Sequence, residues 1–175
     1  LDDSDIGKIK LDSLGPESKD KMVFFWNSRN ARRKQSGSLL FWFKDFLDEV
    51  GHDKAILLMH TNTKDPNGQD LDVMADCTVC VSDAEGFGLS TLESLACGTP
   101  IITTMTGGPQ EQVTDGTNWF GIGLEPASKA IIGSQEVPYI YEDRLSGDDV
   151  RDALLRMYKM TPQERIAMGA LGLEH

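Results

Sequence analysis

The hydrophobic positions of this chain form short apolar runs that alternate with amphipathic stretches. Apolar runs of about four to eight residues are typical of buried strands, and apolar residues spaced roughly three to four apart are typical of helices. The predicted strands are residues 22–26, 55–59, 78–82, 101–104 and 119–124, with a further candidate at 137–141. Helical patterns are found at 39–50, which Gly51 ends, at 89–97, at 150–158 and after Thr161. In the helix at 89–97, the residues expected to face the core are Leu89, Leu92, Leu95 and Ala96.

Strands that alternate with helices over this length predict an α/β fold, a Rossmann-like parallel sheet with helices on both faces. In such sheets ligands bind beyond the carboxyl ends of the strands. The loops after Trp26, Met59, Ser82 and Thr104 are therefore expected to share one edge. A polar, basic loop at 27–37 would then meet the residues after Ser82, although more than fifty residues separate them.

Length and composition fit one globular domain, since the chain has 175 residues, of which 39% are hydrophobic and 26% charged. Residues 1–20 are polar without a clear period and are predicted to be a linker. Residues 21–172 are predicted to form the domain, and residues 173–175 are expected to be the remnant of a cloning tag. No apolar run approaches the roughly 20 residues that a membrane helix needs, and no signal segment opens the sequence, so no transmembrane segment is expected.

The charge is strongly acidic, with a formal net charge of −11. A general nucleic-acid binder needs a broad basic face, so nucleic acid is not an expected partner. One island opposes the trend, because Arg29, Arg32, Arg33 and Lys34 fall within six residues. This island is either a solvated basic turn or the binding site of a local anionic ligand.

The three cysteines, Cys77, Cys80 and Cys97, are an odd number without a disulfide framework, which favours a reducing, cytoplasmic location. Cys77 and Cys80 have the spacing of a metal-binding pair. However, they lie on a predicted strand, where residues three apart point to opposite faces, and no second cysteine pair completes a zinc site. Buried structural thiols are the favoured interpretation, and no metal is expected.

The most informative segment follows the predicted strand 78–82. Gly86 and Gly88 allow backbone conformations that are closed to other residues and let a ligand approach the main chain. Glu85 could complement the dipole of the following helix or bind hydroxyl groups. Glu93 could close a capping box with Ser90, or accept hydrogen bonds from two neighbouring hydroxyls such as those of a ribose.

Together these residues form one pattern that runs from Ser82 to Glu111. It contains two glutamates, Glu85 and Glu93, with seven residues between them, and two pairs of glycines. The residues of the pattern are Ser82, Glu85, Gly86, Phe87, Gly88, Leu89, Glu93, Gly98, Pro100, Gly107, Gly108 and Glu111. The pattern resembles the donor-binding half of retaining glycosyltransferases of the GT-B fold, glycosyltransferase family 4 (group 1). Upstream, Arg29 and Lys34 match the basic pair of that family, and the resemblance covers roughly residues 22–123.

The resemblance implies a role for each matching residue. Arg29 and Lys34 would neutralise the diphosphate of a nucleoside-diphosphate sugar, of UDP or GDP type. Glu85 would be the catalytic residue, binding hydroxyls of the transferred sugar near the reacting carbon, and Glu93 would hold the ribose. The other donor-binding residues would offer backbone N–H groups or contact the sugar. They are Gly86, Phe87, Gly88, Leu89 and Ser90.

The function expected from the resemblance is transfer of a sugar with retained configuration, without a metal or other cofactor, because the basic pair would stabilise the leaving diphosphate. Asp70 and Asp72 have the spacing of a metal-binding Asp-x-Asp, but so short a motif occurs readily by chance. An N-terminal acceptor-binding domain is missing from this sequence, so the chain is expected to bind donor and to transfer poorly. The alternatives are a degenerate, non-catalytic nucleotide-binding module and one half of a nucleotide-sugar epimerase.

Two further departures from the family pattern affect these expectations. The stretch between Met59 and Asp76 is short, whereas the resemblance implies a further helix, a strand and a loop that helps to hold the base. Residues 127–144 are longer than the usual connection, and the sequence provides no mechanism for them.

Overall fold

The computed structural model describes residues 3–61 and 75–175. In these ranges seven strands are found, and they are β1 (Met22–Asn27), β2 (Ala55–His60), β3 (Cys77–Cys80), β4 (Ile101–Thr104), β5 (Gly121–Leu124), β6 (Ser128–Ile132) and β7 (Ile140–Arg144). The α-helices of the same ranges are α1 (Asp3–Leu14), α2 (Ser36–Val50), α3 (Leu89–Ala96), α4 (Pro109–Val113), α5 (Gly147–Lys159) and α6 (Pro162–Glu174). Short 3₁₀ turns occupy Pro16–Ser18 and Arg32–Lys34.

The first five strands form one sheet in the order β2-β1-β3-β4-β5, and every neighbouring pair is parallel. The predicted parallel α/β sheet is thus confirmed. Since all five strands run in the same direction, their carboxyl ends lie along one edge, which we call the carboxyl edge. The loops after β1, β3 and β4 leave the sheet there.

Helices cover both faces of this sheet. Adjacent residues of β4 show this, because Ile102 packs in a large cluster with Phe43 of α2 and Leu154 of α5, whereas Ile101 packs with Leu95 of α3. Successive side chains of a strand point to opposite faces, so the two clusters lie on opposite sides. Helix α6 packs against α3 on the outer side of the smaller cluster.

The larger cluster is built around β1, all six residues of which are buried. The ring of Phe24 lies 5.6 Å from those of both Phe43 and Phe46, in edge-to-face arrangements. Such pairs contribute about 0.5–1.5 kcal/mol each beyond the burial of their area. This packing fixes the strand that leads into the basic loop, and Trp26, near its end, is only 1% exposed.

Residues 1–20 contain more structure than the predicted linker, namely α1 and the first 3₁₀ turn. Lys10 joins α1 to the amino edge of the sheet, because its ammonium group donates to the Lys21 carbonyl at 2.8 Å and lies 3.3 Å from a carboxylate oxygen of Asp76. The Asp76 carboxylate also accepts a hydrogen bond from the backbone of Val23 at 2.8 Å.

The long segment after β5 is a β-hairpin, in which β6 and β7 pair antiparallel. The strand predicted at 137–141 exists, but it lies at Ile140–Arg144 and pairs with an unpredicted strand. Likewise, β5 begins at Gly121 and not at Trp119, which forms an isolated bridge with Thr114.

The predicted core face of α3 is wrong at three positions. Leu89, Leu92 and Ala96 are exposed, and of the expected apolar residues only Leu95 is buried. The helix instead buries Thr91 and Ser94 beside Leu95. Polar groups can occupy this face because they are hydrogen-bonded, for example Ser94 Oγ to the Thr78 hydroxyl at 2.7 Å.

The carboxyl-terminal helix begins as predicted, with a capping box between Thr161 and Glu164. Its close approach to α3 depends on a glycine, because a Cβ at Gly169 would lie 1.8 Å from the Gly98 carbonyl oxygen. Helix α6 includes residues 173 and 174, and the ring of His175 lies 4.7 Å from that of Phe120.

Candidate functional site

Three loops meet at the carboxyl edge of the sheet. The first is the basic segment, residues 28–35, which follows β1. The second contains Glu85 and the glycine turn, which consists of Gly86, Phe87 and Gly88 and leads into α3. The third, after β4, contains Gly107 and Gly108. The prediction that these distant segments converge is confirmed by contacts among them.

The glycine turn lies directly against Gly107 and Gly108. A Cβ at Gly107 would lie 1.8 Å from the Glu85 carbonyl oxygen, and one at Gly108 would lie 2.3 Å from the Phe87 carbonyl oxygen. The Gly108 N–H donates to the Gly86 carbonyl at 2.8 Å. Only glycine permits backbones to approach this closely, and Gly107 also has a φ of +53°. The second glycine pair of the sequence pattern therefore fixes the shape of the first.

Helix α3 begins at this turn without a side-chain cap. Gly88 is the N-cap residue, with φ +82°, and having no side chain it provides no side-chain cap for the first helical turn. The capping box predicted as one alternative for Ser90 and Glu93 is therefore not formed, since Ser90 lies inside the helix. The N–H groups of the first turn have no intrahelical acceptor, and an uncapped helix start favours an anion.

Two buried side chains, an amide and a hydroxyl, stabilise the glycine turn through hydrogen bonds to its carbonyl groups. The Gln112 amide donates to the Phe87 carbonyl at 2.6 Å, and the Thr91 hydroxyl donates to the Gly88 carbonyl at 2.7 Å. Both side chains are buried, with Thr91 0% exposed. The side chains of Phe87 and Leu89, by contrast, are exposed at the surface of the site.

Glu85 is the point at which the basic segment reaches the glycine turn. The Lys34 ammonium group donates a short hydrogen bond to Oε1 of Glu85, and Nη1 of Arg33 lies 3.5 Å from Oε2. The pair is largely shielded from solvent, because the Lys34 side chain is 12% exposed and that of Glu85 is 7% exposed. Arg33 also donates to the Ala84 carbonyl.

These contacts keep Glu85 ionised. Its burial opposes ionisation, but hydrogen bonds from Lys34 and Ser82 and the nearby cationic charges outweigh burial and lower the pKa of Glu85. At neutral pH the side chain is therefore a carboxylate, which can only accept hydrogen bonds.

The other predicted cation, Arg29, lies in the same segment but takes no part in this pair. It is exposed just beyond β1, and its carbonyl accepts from the Ala31 N–H at 2.8 Å. Arg33, which the sequence interpretation did not assign to the site, is the second cation beside Glu85. The sequence feature that could have identified Arg33 is its position among the four cations of the basic island.

A second group of charges lies beside Glu85 and was not predicted. Glu142 of β7 accepts two hydrogen bonds from Arg32, at 2.8 and 2.9 Å, and one from Arg144 at 3.1 Å. Arg144 also lies 2.9 Å from Asp83, and Arg32 lies 3.7 Å from it. We call these four residues, Arg32, Asp83, Glu142 and Arg144, the charge network.

Asp83 connects this network to the basic segment, to β7 and to the start of α2. Its N–H donates to the Arg33 carbonyl at 2.8 Å, and its carbonyl accepts from the Asp143 N–H at 2.8 Å. Its two carboxylate oxygens accept from the amide of Gln35, each at 2.8 Å. Gln35 is the N-cap residue of α2 and has a left-handed φ of 56°. Burial raises the pKa of Asp83 despite these donors, whereas bonding to Arg32 lowers the pKa of Glu142.

The prediction that Cys77 and Cys80 are buried thiols is confirmed. Cys77 and Cys80 are buried, and burial raises the pKa of both thiols, which favours the protonated form at neutral pH. Cys97 is exposed. In the described ranges no group of three or more histidine, cysteine, aspartate or glutamate side chains could hold a metal ion. Asp70 and Asp72 lie outside the described residues, as does most of the short stretch between β2 and β3.

The sequence profile of the family described as glycosyl transferases group 1 matches residues 36–130. This is more than half of the chain, and the chain belongs to that family. The match includes the glycine turn, Glu85 and Glu93. It begins just after the basic segment, so the position of Lys34 beside Glu85 is an independent structural observation. No helix of the described ranges is long and apolar enough to cross a membrane.

The chain matches curated relatives over only part of their length. D-inositol 3-phosphate glycosyltransferase of Arthrobacter sp. (strain FB24) is 30% identical over 115 residues, which are 66% of this chain and 26% of the relative. N-acetyl-alpha-D-glucosaminyl L-malate synthase of Bacillus anthracis is 28% identical over 99 residues, or 55% of this chain and 26% of the relative. The chain thus spans about a quarter of the length of these relatives.

Solved structures confirm the fold. Alr3699/HepE of Anabaena in complex with UDP-glucose superposes with a TM-score of 0.64 at 17% identity, covering 99% of this chain and 48% of that one. The apo structure of OtsA gives a TM-score of 0.68 at 15% identity, covering 99% of this chain and 45% of that one. At such identities the likeness shows the fold, which is similar to one half of GT-B glycosyltransferase structures.

Proposed function

We propose that this chain is the nucleotide-sugar-binding half of a retaining glycosyltransferase of family 4. The observation that carries the proposal is the meeting of Lys34 and Glu85 beside the uncapped start of α3. A cation, a carboxylate and the backbone N–H groups of a helix start are three kinds of group that bind a sugar joined to a diphosphate. Family membership and the UDP-glucose complex of a structural neighbour support the same ligand class.

Each group has a part of the donor to bind. The first turn of α3 and Lys34 bind diphosphate oxygens, with Arg29 reaching the same anion from its exposed position. Glu85 accepts hydrogen bonds from hydroxyls of the transferred sugar. Glu93 accepts from the ribose, the role that the family resemblance implies; the N-cap residue of α3 is Gly88, so Ser90 is not in the position that a capping box with Glu93 requires.

The pairing of Lys34 with Glu85 describes the donor-free site. When donor binds, the diphosphate competes for the ammonium group and the sugar hydroxyls compete for the carboxylate. Both groups are already ionised and in place, so little reorganisation is needed. The lowered pKa of Glu85 keeps it an acceptor at neutral pH.

The reaction breaks the bond between the anomeric carbon and the diphosphate, and a bond to an acceptor hydroxyl oxygen forms on the same face of the sugar while the hydroxyl proton passes to the leaving diphosphate. Negative charge grows on the leaving diphosphate, and fixed cations stabilise it most in the transition state. This assigns the work to Lys34 and Arg29, without a metal ion. The acceptor would bind to an N-terminal domain that these residues do not include. The chain alone is therefore expected to bind donor and to transfer poorly.

Calorimetry with UDP, GDP and ADP, their glucose and mannose derivatives, and inorganic pyrophosphate tests the proposal. We expect one nucleotide series to bind at least about tenfold more tightly than pyrophosphate, since base and ribose add contacts worth more than 1.4 kcal/mol. Binding no tighter than that of pyrophosphate would favour the degenerate, non-catalytic module. Retained anomeric configuration in the product of the complete enzyme would exclude the epimerase alternative.

Arg29→Ala tests the exposed cation of the basic pair. It should weaken binding of the preferred nucleoside diphosphate by about tenfold, the size of one charge-assisted contact, and leave binding of the nucleoside unchanged. Lys44→Ala is a matched control, because Lys44 is also an exposed cation but lies on α2 and pairs with Asp48. Equal losses for diphosphate and nucleoside would argue against a phosphate role for Arg29.

A further inference from the structure

We propose that the β6–β7 hairpin positions the basic segment, and that Glu142 is the residue through which it acts. This inference rests on the proposed function for its consequence in binding, but its structural content is independent of any ligand. The hairpin occupies the stretch that is longer than the family pattern, for which the sequence provided no role. Its last strand carries two members of the charge network, Glu142 and Arg144.

The contacts run from the hairpin to the basic segment in two steps. Glu142 is 4% exposed and holds the Arg32 guanidinium through two hydrogen bonds on one nitrogen. Arg32 is the first residue of the 3₁₀ turn Arg32–Lys34, so fixing it fixes the turn that carries Arg33 and Lys34. Within that turn, the Lys34 N–H donates to the Ala31 carbonyl at 2.9 Å.

The hairpin also holds the other side of the site. The Asp143 N–H donates to the Asp83 carbonyl, and Arg144 pairs with the Asp83 carboxylate at 2.9 Å. Asp83 lies two residues before Glu85, and its own N–H bonds to the basic segment at Arg33. Strand β7 thus contacts both the basic segment and the loop that contains Asp83 and Glu85.

The charges of the network balance, because two carboxylates face two guanidinium groups. Asp83 and Glu142 have side chains only 2% and 4% exposed, and removal of either carboxylate leaves two guanidinium groups with one carboxylate between them. Neither Glu142 nor Arg144 contacts Lys34 or Glu85 directly in the described contacts. Their effect on ligand binding must therefore pass through the basic segment and through the loop that contains Asp83, which makes them positioning residues.

Glu142→Gln is the test variant, since it removes the charge and keeps the shape. Glu136→Gln is its matched control, because Glu136 lies on the same hairpin, is exposed, and forms no ion pair among the described contacts. Circular dichroism and melting temperature establish that both variants fold. Arg32→Gln is a second test variant at the other end of the contact, and the Arg32 side chain is 59% exposed, so the substitution leaves the core untouched.

The ligand-free readout is the acetylation rate of each lysine under dilute acetic anhydride, measured by mass spectrometry. In the native chain Lys34 should react slowly, because it is shielded and bound to Glu85, whereas exposed Lys44 should react fast. Glu142→Gln and Arg32→Gln should each raise the Lys34 rate about tenfold relative to Lys44, as expected for neighbours in one network. Glu136→Gln should not. An unchanged Lys34 rate in both test variants would overturn the proposal.

The ligand readout is the ratio of the affinities for UDP, GDP or ADP, whichever binds best, to that for its nucleoside. Loss of positioning should lower the diphosphate affinity about tenfold and leave the nucleoside affinity unchanged, whereas general destabilisation lowers both. A test variant that lowers both affinities equally contradicts the proposal. If the native chain binds none of these nucleotides, the proposed function fails, and the lysine rates alone decide whether the hairpin positions Lys34.

Discussion

The two loops that meet at Glu85 are held by different forces. The glycine turn is fixed by shape, because its backbone lies within hydrogen-bonding and van der Waals distance of Gly107 and Gly108. The basic segment is fixed by charge, through Glu85, Asp83 and Glu142. Steric contacts of the first kind change little with pH or salt, whereas ion pairs depend on the ionisation of their partners.

This difference in the stabilising contacts indicates that the two loops have different roles in the site. The glycine turn is a sterically fixed loop that leads into the first turn of α3. Under the proposed function, the cations of the basic segment would exchange their carboxylate partners for the phosphates of a donor. The two loops should therefore respond to different substitutions, and the predictions below rank those responses.

The largest effect is expected for Gly107→Ala. Its Cβ would lie 1.8 Å from a backbone oxygen that cannot move without shifting the glycine turn, and its φ is +53°. We expect a loss of about 3 kcal/mol or more in the free energy of unfolding, measured by urea titration. Gly98→Ala separates strain from clash, since Gly98 has φ +69° but open space at its Cβ position. A cost for Gly107→Ala no greater than for Gly98→Ala would contradict a sterically fixed turn.

The next effect is expected for Lys34→Gln, which leaves the shielded Glu85 carboxylate with Arg33 as its remaining cation. Loss of one partner from a buried pair costs several kcal/mol, and we expect about 2 kcal/mol here because Arg33 compensates in part. Lys44→Gln, which breaks an exposed pair on one face of α2, should cause no measurable change. Equal unfolding free energies for the two variants would show that the Lys34 contact contributes nothing to stability.

The charge network should lose its effect in acid. The pKa of Glu142 is lowered in the folded chain by Arg32, relative to an ordinary value of 4.5, so its stabilisation is present above that value and is lost as pH falls through the folded pKa. The gap in unfolding free energy between the native chain and Glu142→Gln should therefore be full at pH 7 and narrow below pH 4.5. Urea titrations of both proteins across this range measure it, and a constant gap would contradict the ion-pair account.

The smallest effect on stability is expected for Glu93→Gln, which should act on ligands that contain ribose. Loss of one carboxylate bridging two hydroxyls should weaken the preferred nucleoside diphosphate and its nucleoside about tenfold, and leave pyrophosphate unchanged. Calorimetry compares the three ligands, and the melting temperature monitors the fold. A fall in melting temperature without a change in ligand affinity would favour a purely structural role for Glu93.

The glycine turn could be predicted from the sequence because its signals are local. Gly86 and Gly88 mark the turn, a strand precedes it, and a helical pattern follows. The parallel sheet could also be predicted, and with it the meeting of the basic segment and Glu85. The exposure of Leu89 and Leu92 could not, because it depends on where the start of α3 projects from the sheet.

The charge network could not be predicted because its members are far apart. Arg32 and Glu142 are 110 residues apart, and no local pattern connects them. The basic island indicated that an anion lies nearby, but its spacing did not show that Arg32 binds the hairpin while Arg33 and Lys34 bind Glu85. That division follows from the tight turn at Arg32–Lys34, which directs Arg32 to Glu142 and the next two side chains to Glu85.

The most direct test of the central claim, that Lys34 serves the diphosphate of a sugar donor, is calorimetric titration of the native chain and Lys34→Gln. The ligands are the preferred nucleoside diphosphate among UDP, GDP and ADP, and its nucleoside. We predict that the substitution weakens diphosphate binding at least about tenfold and leaves nucleoside binding unchanged. Equal affinities of the native chain and the variant for the diphosphate would contradict the account.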